Sequence, residues 1–349
     1  MNDTTLMLGT ARHDPARGRR RLAGVLALLA LTGLLAGLLT GTQGFSPAGF
    51  WEDWRSDQSL LILGQIRAPR TVGALAVGAL LGLAGAIAQG LFRNPLADPF
   101  LLGTAAGAGL GVVLVLAGGA AAGLTLSLAS AAWLERVGIV SAAFVGALGG
   151  VALTLLLAQG AVHTLRLLLS GVVVAVLLGA VADLVTIVSP DALRARQVFL
   201  LGSTGHLSWT ASALLLAGLA ILLAASRHFG RALDALTLGE DSAVSLGIDL
   251  NRVRIALVAM LSLATALAVA QAGLVAFVGL VAPHLVRRHA PGPHRWLLTA
   301  SSAMGAVLLL WADVASRALI APRELPVGVV TAVLGGVYLF VLLRRRGLS

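Results

Sequence analysis

Ten apolar stretches, joined by short polar or arginine-bearing connections, run along the chain. They fall at 22–39, 60–91, 100–122, 137–159, 167–189, 208–225, 253–272, 274–286, 297–316 and 326–343. Most approach the roughly 20 residues that a helix needs to cross a hydrocarbon core. Their apolar positions are continuous rather than alternating, which predicts α-helices and excludes the strands of a transmembrane barrel. The stretch 274–286 is too short to cross alone and contains Pro283, which predicts a broken or partly buried span. The expected fold class is all-α, a polytopic membrane protein with about ten transmembrane helices.

Composition agrees with the pattern. Of 349 residues, 58% are hydrophobic and 11% charged, against roughly 25% charged in a soluble domain. The 42 glycines suit close helix packing in lipid, where small residues let backbones approach. No cysteine is present, which excludes disulfides, thiolate metal sites and cysteine nucleophiles. All 25 basic residues are arginine, so the chain lacks the lysine of a nucleotide-hydrolysing P-loop. If ATP drives this protein, a partner binds it.

The net charge of +10 sits at helix ends and reads as an orientation signal, with no nucleic-acid partner expected. Residues 1–21 form a polar tail ending in Arg17, Arg19, Arg20 and Arg21. The apolar run after it is longer than a signal-peptide core and lacks a small-residue cleavage site, which predicts an uncleaved first helix. With the N-terminus inside, 17 arginines lie on the cytoplasmic side and 8 on the outer side. That excess predicts both termini in the cytoplasm. The transmembrane domain then spans 22–343, followed by a tail at 344–349. The longest polar connection, about 227–254, faces inward, and Leu236 to Leu246 reads as one short helix broken near Gly247. It is either a docking surface or an ordinary solvated connection.

Several strings occur in one order across residues 60–343. They are Arg67-Ala-Pro-Arg70, Gly85-Ala-Ile-Ala-Gln89, Arg93-Asn-Pro-Leu-Ala-Asp-Pro99, Leu167-Leu-Leu-Ser-Gly171, Leu201-Gly-Ser203, Leu238-Gly-Glu240, Leu246-Gly247, Phe277-Val-Gly-Leu-Val-Ala-Pro-His284, Asp313 with Arg317, and Leu325-Pro-Val-Gly328. In this ordered set the chain resembles the FecCD/BtuC-like permease family, the membrane-spanning subunits of type II ABC importers for iron-siderophores, haem or vitamin B12. One departure is Gly335-Gly-Val-Tyr-Leu-Phe340, where the family usually has Gly-Ala-Pro-x-Phe; the missing proline predicts a straighter last helix.

The resemblance implies a bacterial inner-membrane transport subunit that is not itself an enzyme. It also implies two copies of an ABC ATPase that use ATP and magnesium, and a periplasmic or lipid-anchored substrate-binding protein. The permease would be a homodimer or a heterodimer with a paralogous permease, working by alternating access with no cofactor of its own. It places binding-protein docking at Arg67, Arg70 and Arg317. A planar guanidinium suits carboxylates, although interfacial snorkelling or an Asp313–Arg317 pair at i,i+4 would also account for these arginines. ATPase coupling falls on Leu238, Gly239, Glu240, Leu246 and Gly247. A cytoplasmic gate falls on Asn94, Pro95, Leu96, Thr164 and Leu165, where the alternative is a plain turn with Asn94 as a cap. The fifth and tenth helices would line the pore. Ferric siderophore is the first expected substrate, with haem and cobalamin next.

An ion-gradient carrier is the rival from another class. Such a carrier needs acids deep in the bilayer, and Asp183 is the one candidate besides Asp313 near a helix end. The seven histidines follow no metal-binding spacing, and no metal site is expected.

Overall fold

In the computed structural model, the described residues are 15–41, 44–45, 57–121, 128–161 and 164–346. The tail before Pro15, residues 347–349, Arg12, His13, Arg55 and His163 lie outside them.

Helix α1 (Pro15–Leu39) leads into a two-residue antiparallel pair, β1 (Thr40–Gly41) with β2 (Gly44–Phe45). Then come α2 (Asp57–Ile62), a π-turn at Leu63–Arg67, and α3 (Ala68–Leu91). A 3-10 turn at Pro99–Leu102 precedes α4 (Thr104–Ala121), α5 (Leu128–Ala158) and α6 (Thr164–Val188). The second half holds α7 (Pro190–Leu201), α8 (Trp209–His228), α9 (Gly230–Thr237), α10 (Glu240–Ser245), α11 (Leu250–Ala272), α12 (Val278–His289), α13 (His294–Ala318) and α14 (Val327–Arg346).

All ten apolar stretches coincide with helices. Among the described residues, seven helices are long and apolar enough to span a membrane, in α1, Leu60–Leu91, α5, α6, α8, α11 and α13. The apolar parts of α4 and α14, Thr104–Gly118 and Val327–Leu342, are shorter. Helix α12 is the broken span: residues 274–277 are non-helical and helix starts only at Val278. Pro283 lies inside the helix, where it cannot make the bond to the Gly279 carbonyl and favours a kink.

Helix α3 is the axis of the bundle and is buried along nearly its whole length. It carries glycine or alanine at most contact positions, so backbones touch. A Cβ on Gly78, Gly82 or Gly85 would lie 2.3 Å from Gly305 O, 2.2 Å from Ser301 O or 1.7 Å from Gly279 O. The same device joins α4 to α5, where a Cβ on Gly107 would meet Gly146 O at 2.1 Å and one on Gly111 would meet Ala142 O at 2.1 Å. Without water to drive apolar association in lipid, such close van der Waals packing holds helices together.

One expectation needs correction. The segment 236–246 is not one helix: α9 ends at Thr237 and α10 starts at Glu240. Gly239 stands between them at φ +111°, a conformation open to glycine and strained for other residues. The predicted span at 137–159 matches the apolar segment Val137–Ala158, which a longer helix from Leu128 contains. Helix α7 falls outside the ten apolar stretches, because a polar twelve-residue segment gives no membrane-length signal. Helix α14 runs unbroken from Val327 to Arg346, as the absent proline predicts.

Candidate functional site

Two ends of the bundle carry the polar chemistry. The proximal end holds the start of α1, the 93–98 turn, α9, α10 and the 289–295 turn; the distal end holds the finish of α1, Arg70, Asp313 and Glu324.

At the proximal end, α9 is fastened to the bundle. Leu233 is fully buried, and a Cβ on Gly90 would touch its side chain at 3.0 Å. Asp234 accepts from the His294 backbone N–H at 2.9 Å, and its Oδ1 lies 2.7 Å from the imidazole Nδ1. The free backbone donors at the start of α13 are thus partly satisfied from α9. Outward, the segment is apolar: Leu238, Val244 and Leu246 are 69%, 57% and 64% exposed. Gly247, at φ +78°, turns the chain toward α11, where the Asp249 side chain caps the helix by accepting from Arg252 N at 3.1 Å. The result is a rigidly seated pair of short helices that presents a bare apolar edge. Of the predicted coupling residues, Leu238 and Leu246 form that edge, and Gly239 and Gly247 set the turns.

Glu240 has a different part. Its Oε1 accepts from Arg254 Nη2 at 2.6 Å and from Arg93 Nη2 at 3.3 Å. Sequence reasoning offered no signal for either pair, because each joins residues distant in the chain or on separate helices.

The predicted gate residues divide into two groups. Arg93 adopts φ +48° directly after α3, and Asn94 Oδ1 then accepts from Leu96 N at 2.9 Å, an Asx turn that exposes Asn94, Pro95 and Leu96. Thr164 and Leu165 open α6, and Leu165 is 70% exposed. The Pro99–Leu102 turn that follows the first group packs on α6 so closely that a Cβ on Gly171 would lie 2.0 Å from Leu101 O. Asp98 caps that turn, accepting from Phe100 N at 2.8 Å. Burial pushes its carboxyl up to about 6, and the Phe100 bond opposes this only in part.

At the distal end the three predicted docking arginines are placed unequally. Arg70 and Arg317 are not surface arginines. Asp313, fully buried, accepts from Arg70 Nε at 3.0 Å, Arg317 Nη2 at 2.6 Å and Thr204 Oγ1 at 2.5 Å. Arg70 Nη1 also donates to Glu324 Oε2 at 2.8 Å. Arg317 Nη1 donates to the carbonyls of Gly37 and Thr40, both at 2.8 Å. One carboxylate therefore ties α1, α3, α13 and the 204 and 324 loops together. Already bonded and buried, these two guanidinium groups are not presented to an incoming carboxylate. Of the three predicted docking arginines, Arg67 alone is part-exposed, donating to Leu38 O at 3.2 Å. The i,i+4 pairing of Asp313 with Arg317 was legible in the sequence; the convergence of Arg70 and Thr204 on it, and of Glu324 on Arg70, was not.

Asp183 is exposed at the end of α6 and closely paired with Arg196 of α7. His284 packs edge-on against Tyr338 at 5.8 Å, a structural role. Where the proline is missing, Gly335 meets Phe277, whose Cβ would lie 2.2 Å from an added Cβ. Among the described residues no three His, Asp or Glu side chains gather to hold a metal. The faces of α6 and α14 are broadly apolar and bare, with Leu169, Val173, Val176, Leu184, Val337 and Phe340 exposed.

Residues 28–345 match the model of the FecCD transport family. The chain belongs to that family. It is 36% identical over 333 residues to the hemin transport system permease protein HmuU of Yersinia pestis, covering 94% of this chain and 96% of that one. It is 38% identical over 342 residues to the vitamin B12 import system permease protein BtuC of Salmonella paratyphi A, covering 97% and 99%. A solved inward-facing metal-chelate type ABC transporter superimposes with a TM-score of 0.80 at 27% identity, over 93% of this chain and 99% of that one. The PsaBC structure from Streptococcus pneumoniae, at 15% identity and a TM-score of 0.55, shares the fold alone. The chain is a multi-pass membrane permease of the type II ABC importer class.

Proposed function

We propose that this FecCD-family permease passes a bulky metal chelate of the tetrapyrrole type, haem or a corrinoid, inward across a bacterial cytoplasmic membrane. What carries the substrate class is similarity over nearly the full length to permeases named for hemin and for vitamin B12. Ferric siderophore, the first choice from sequence, has weaker support and becomes an arm of the test.

Two copies would enclose the pore between apolar faces such as that of α6. Each would offer the edge formed by Leu238, Val244 and Leu246 to one of two ATPase subunits that bind ATP and magnesium. The proximal end then faces the cytoplasm, in keeping with its arginines, and both termini lie there. At the distal end a substrate-binding protein would dock around the part-exposed Arg67 and Glu324, above a cluster that holds the mouth in shape. The exposed turn at Asn94, Pro95 and Leu96 and the start of α6 at Thr164 and Leu165 would form the inner gate. No cofactor resides in the chain on this reading.

An ion-gradient carrier fits less well. Of its two candidate acids, Asp183 is exposed and paired with arginine, and Asp313 is held by two arginines and a threonine. The test is competition for uptake by the assembled importer among haem, cobalamin and a ferric hydroxamate. Preference for haem or cobalamin supports the proposal, and preference for the hydroxamate returns the substrate to the siderophores.

A further inference from the structure

We infer that Glu240 is a permanent anchor on one side and a releasable latch on the other, and that its contact with Arg93 ties the inner gate to the ATPase-facing segment. This rests on the importer reading above.

Glu240 opens α10, directly after the Leu238–Gly239 turn, so it moves with the apolar edge offered to the ATPase. Its two cationic partners differ sharply. Arg254 sits in the first turns of α11 with its side chain 4% exposed, at 2.6 Å. A buried cation near a helix N-terminus is unfavourable on two counts, desolvation and the helix dipole, and a carboxylate at bonding distance offsets both. That contact is costly to break and persists through any cycle. Arg93 is 43% exposed and reaches the same oxygen at 3.3 Å through one nitrogen, with Glu240 itself 40% exposed. An exposed pair shifts an equilibrium by no more than about fivefold, which is the scale of a contact made and lost at every turn of a cycle.

Arg93 is well placed to use it. It holds a left-handed φ of +48°, uncommon for a residue with a side chain, and its neighbour Asn94 begins the exposed turn through Leu96. Backbone bonds from Arg93 N to Gly90 O at 3.3 Å and from Asn94 N to Gln89 O at 3.2 Å hold this cap together, so a pull on the guanidinium, or its release, acts on the whole turn. Displacement of α10 by the ATPase would therefore reach the gate by breaking one weak pair, while α10 stays anchored to α11. Arg93 and Glu240 are positioning residues on this view; neither touches the substrate.

The test uses the full importer in proteoliposomes, with the permease, its ATPase and its binding protein, reading ligand transported per ATP hydrolysed. Arg93→Gln, at an exposed site, should lower that ratio about two- to fivefold by raising ligand-independent hydrolysis. Arg93→Lys should restore most of it, since one nitrogen makes the contact. In a double-mutant cycle Arg93→Gln should add little to Glu240→Gln. A wild-type ratio in Arg93→Gln, or losses that simply add, would overturn the latch while leaving the importer intact. A wild-type complex whose uptake ignores ATP would overturn the importer reading, and the latch with it.

Discussion

Replacement of Asp313 by alanine is the most revealing perturbation of the fold. The carboxylate accepts three donors, two of them guanidinium groups with side chains only 10% and 2% exposed. Arg70 would keep Glu324, which is itself 35% exposed, whereas Arg317 would keep only backbone carbonyls, those of Gly37, Thr40 and residue 313, and no counter-charge. Removing one partner of a buried ion pair costs about 3–5 kcal/mol, mostly the penalty of the uncompensated charge. Helical membrane proteins commonly unfold irreversibly, so the loss is best read as a rate. If only half of it appears in the unfolding barrier, the half-life of the folded fraction in detergent falls at least about tenfold. The assay is heating in detergent followed by size-exclusion chromatography at several times. Glu324→Gln is the internal control: its partly exposed pair contributes about 0–1 kcal/mol, and the half-life should change little. An Asp313→Ala half-life within about twofold of wild type would refute the view of this cluster as the clasp of the distal end.

Other outcomes follow from single contacts. Gly85→Ala should fail to accumulate as folded protein, because its Cβ would lie 1.7 Å from Gly279 O, whereas Gly24→Ala, with nothing within 4 Å, should be neutral or gain up to ~1 kcal/mol from helix propensity. Paired substitutions Leu238→Glu and Leu246→Glu should abolish co-purification of the ATPase yet leave the permease folded, since both side chains are exposed; retained ATPase would contradict the docking edge. Asp98, with its carboxyl raised to about 6, favours the protonated form when folded. Its stabilising effect is full below the ordinary aspartate pKa near 4 and is lost as pH rises through about 6. Asp98→Asn should therefore match wild type in melting point near pH 4 and exceed it near pH 8. A constant difference across that range would show that Asp98 titrates normally.

Much of this architecture is legible in sequence because lipid imposes a simple rule, continuous apolar helices with charge at their ends. That rule located ten of the fourteen helices among the described residues, and the interruption before Val278. It failed where folding depends on contacts between distant residues. Arg70 looked like a surface arginine because it sits near the end of an apolar run, yet Asp313, 243 residues away, buries it. Helix α7 was missed for lack of length. The break between α9 and α10 did have a signal: a glycine just after a helix supplies a backbone conformation closed to other residues, and Gly239 takes φ 111°, ψ 159° there. Asp183, singled out as an acid within an apolar run, is answered by Arg196 thirteen residues later, a pairing that becomes visible only once α7 is known to fold back as a helix.

The central claim is that transport through this permease is driven by ATP hydrolysed on partner subunits. The direct measurement is uptake of haem and of cobalamin, each supplied with its binding protein, into proteoliposomes holding the permease and its ATPase. It is made with ATP on the ATPase side, without ATP, and with an imposed proton or sodium gradient. The account predicts accumulation of one chelate only when ATP is present. Accumulation that follows the ion gradient and ignores ATP would contradict it.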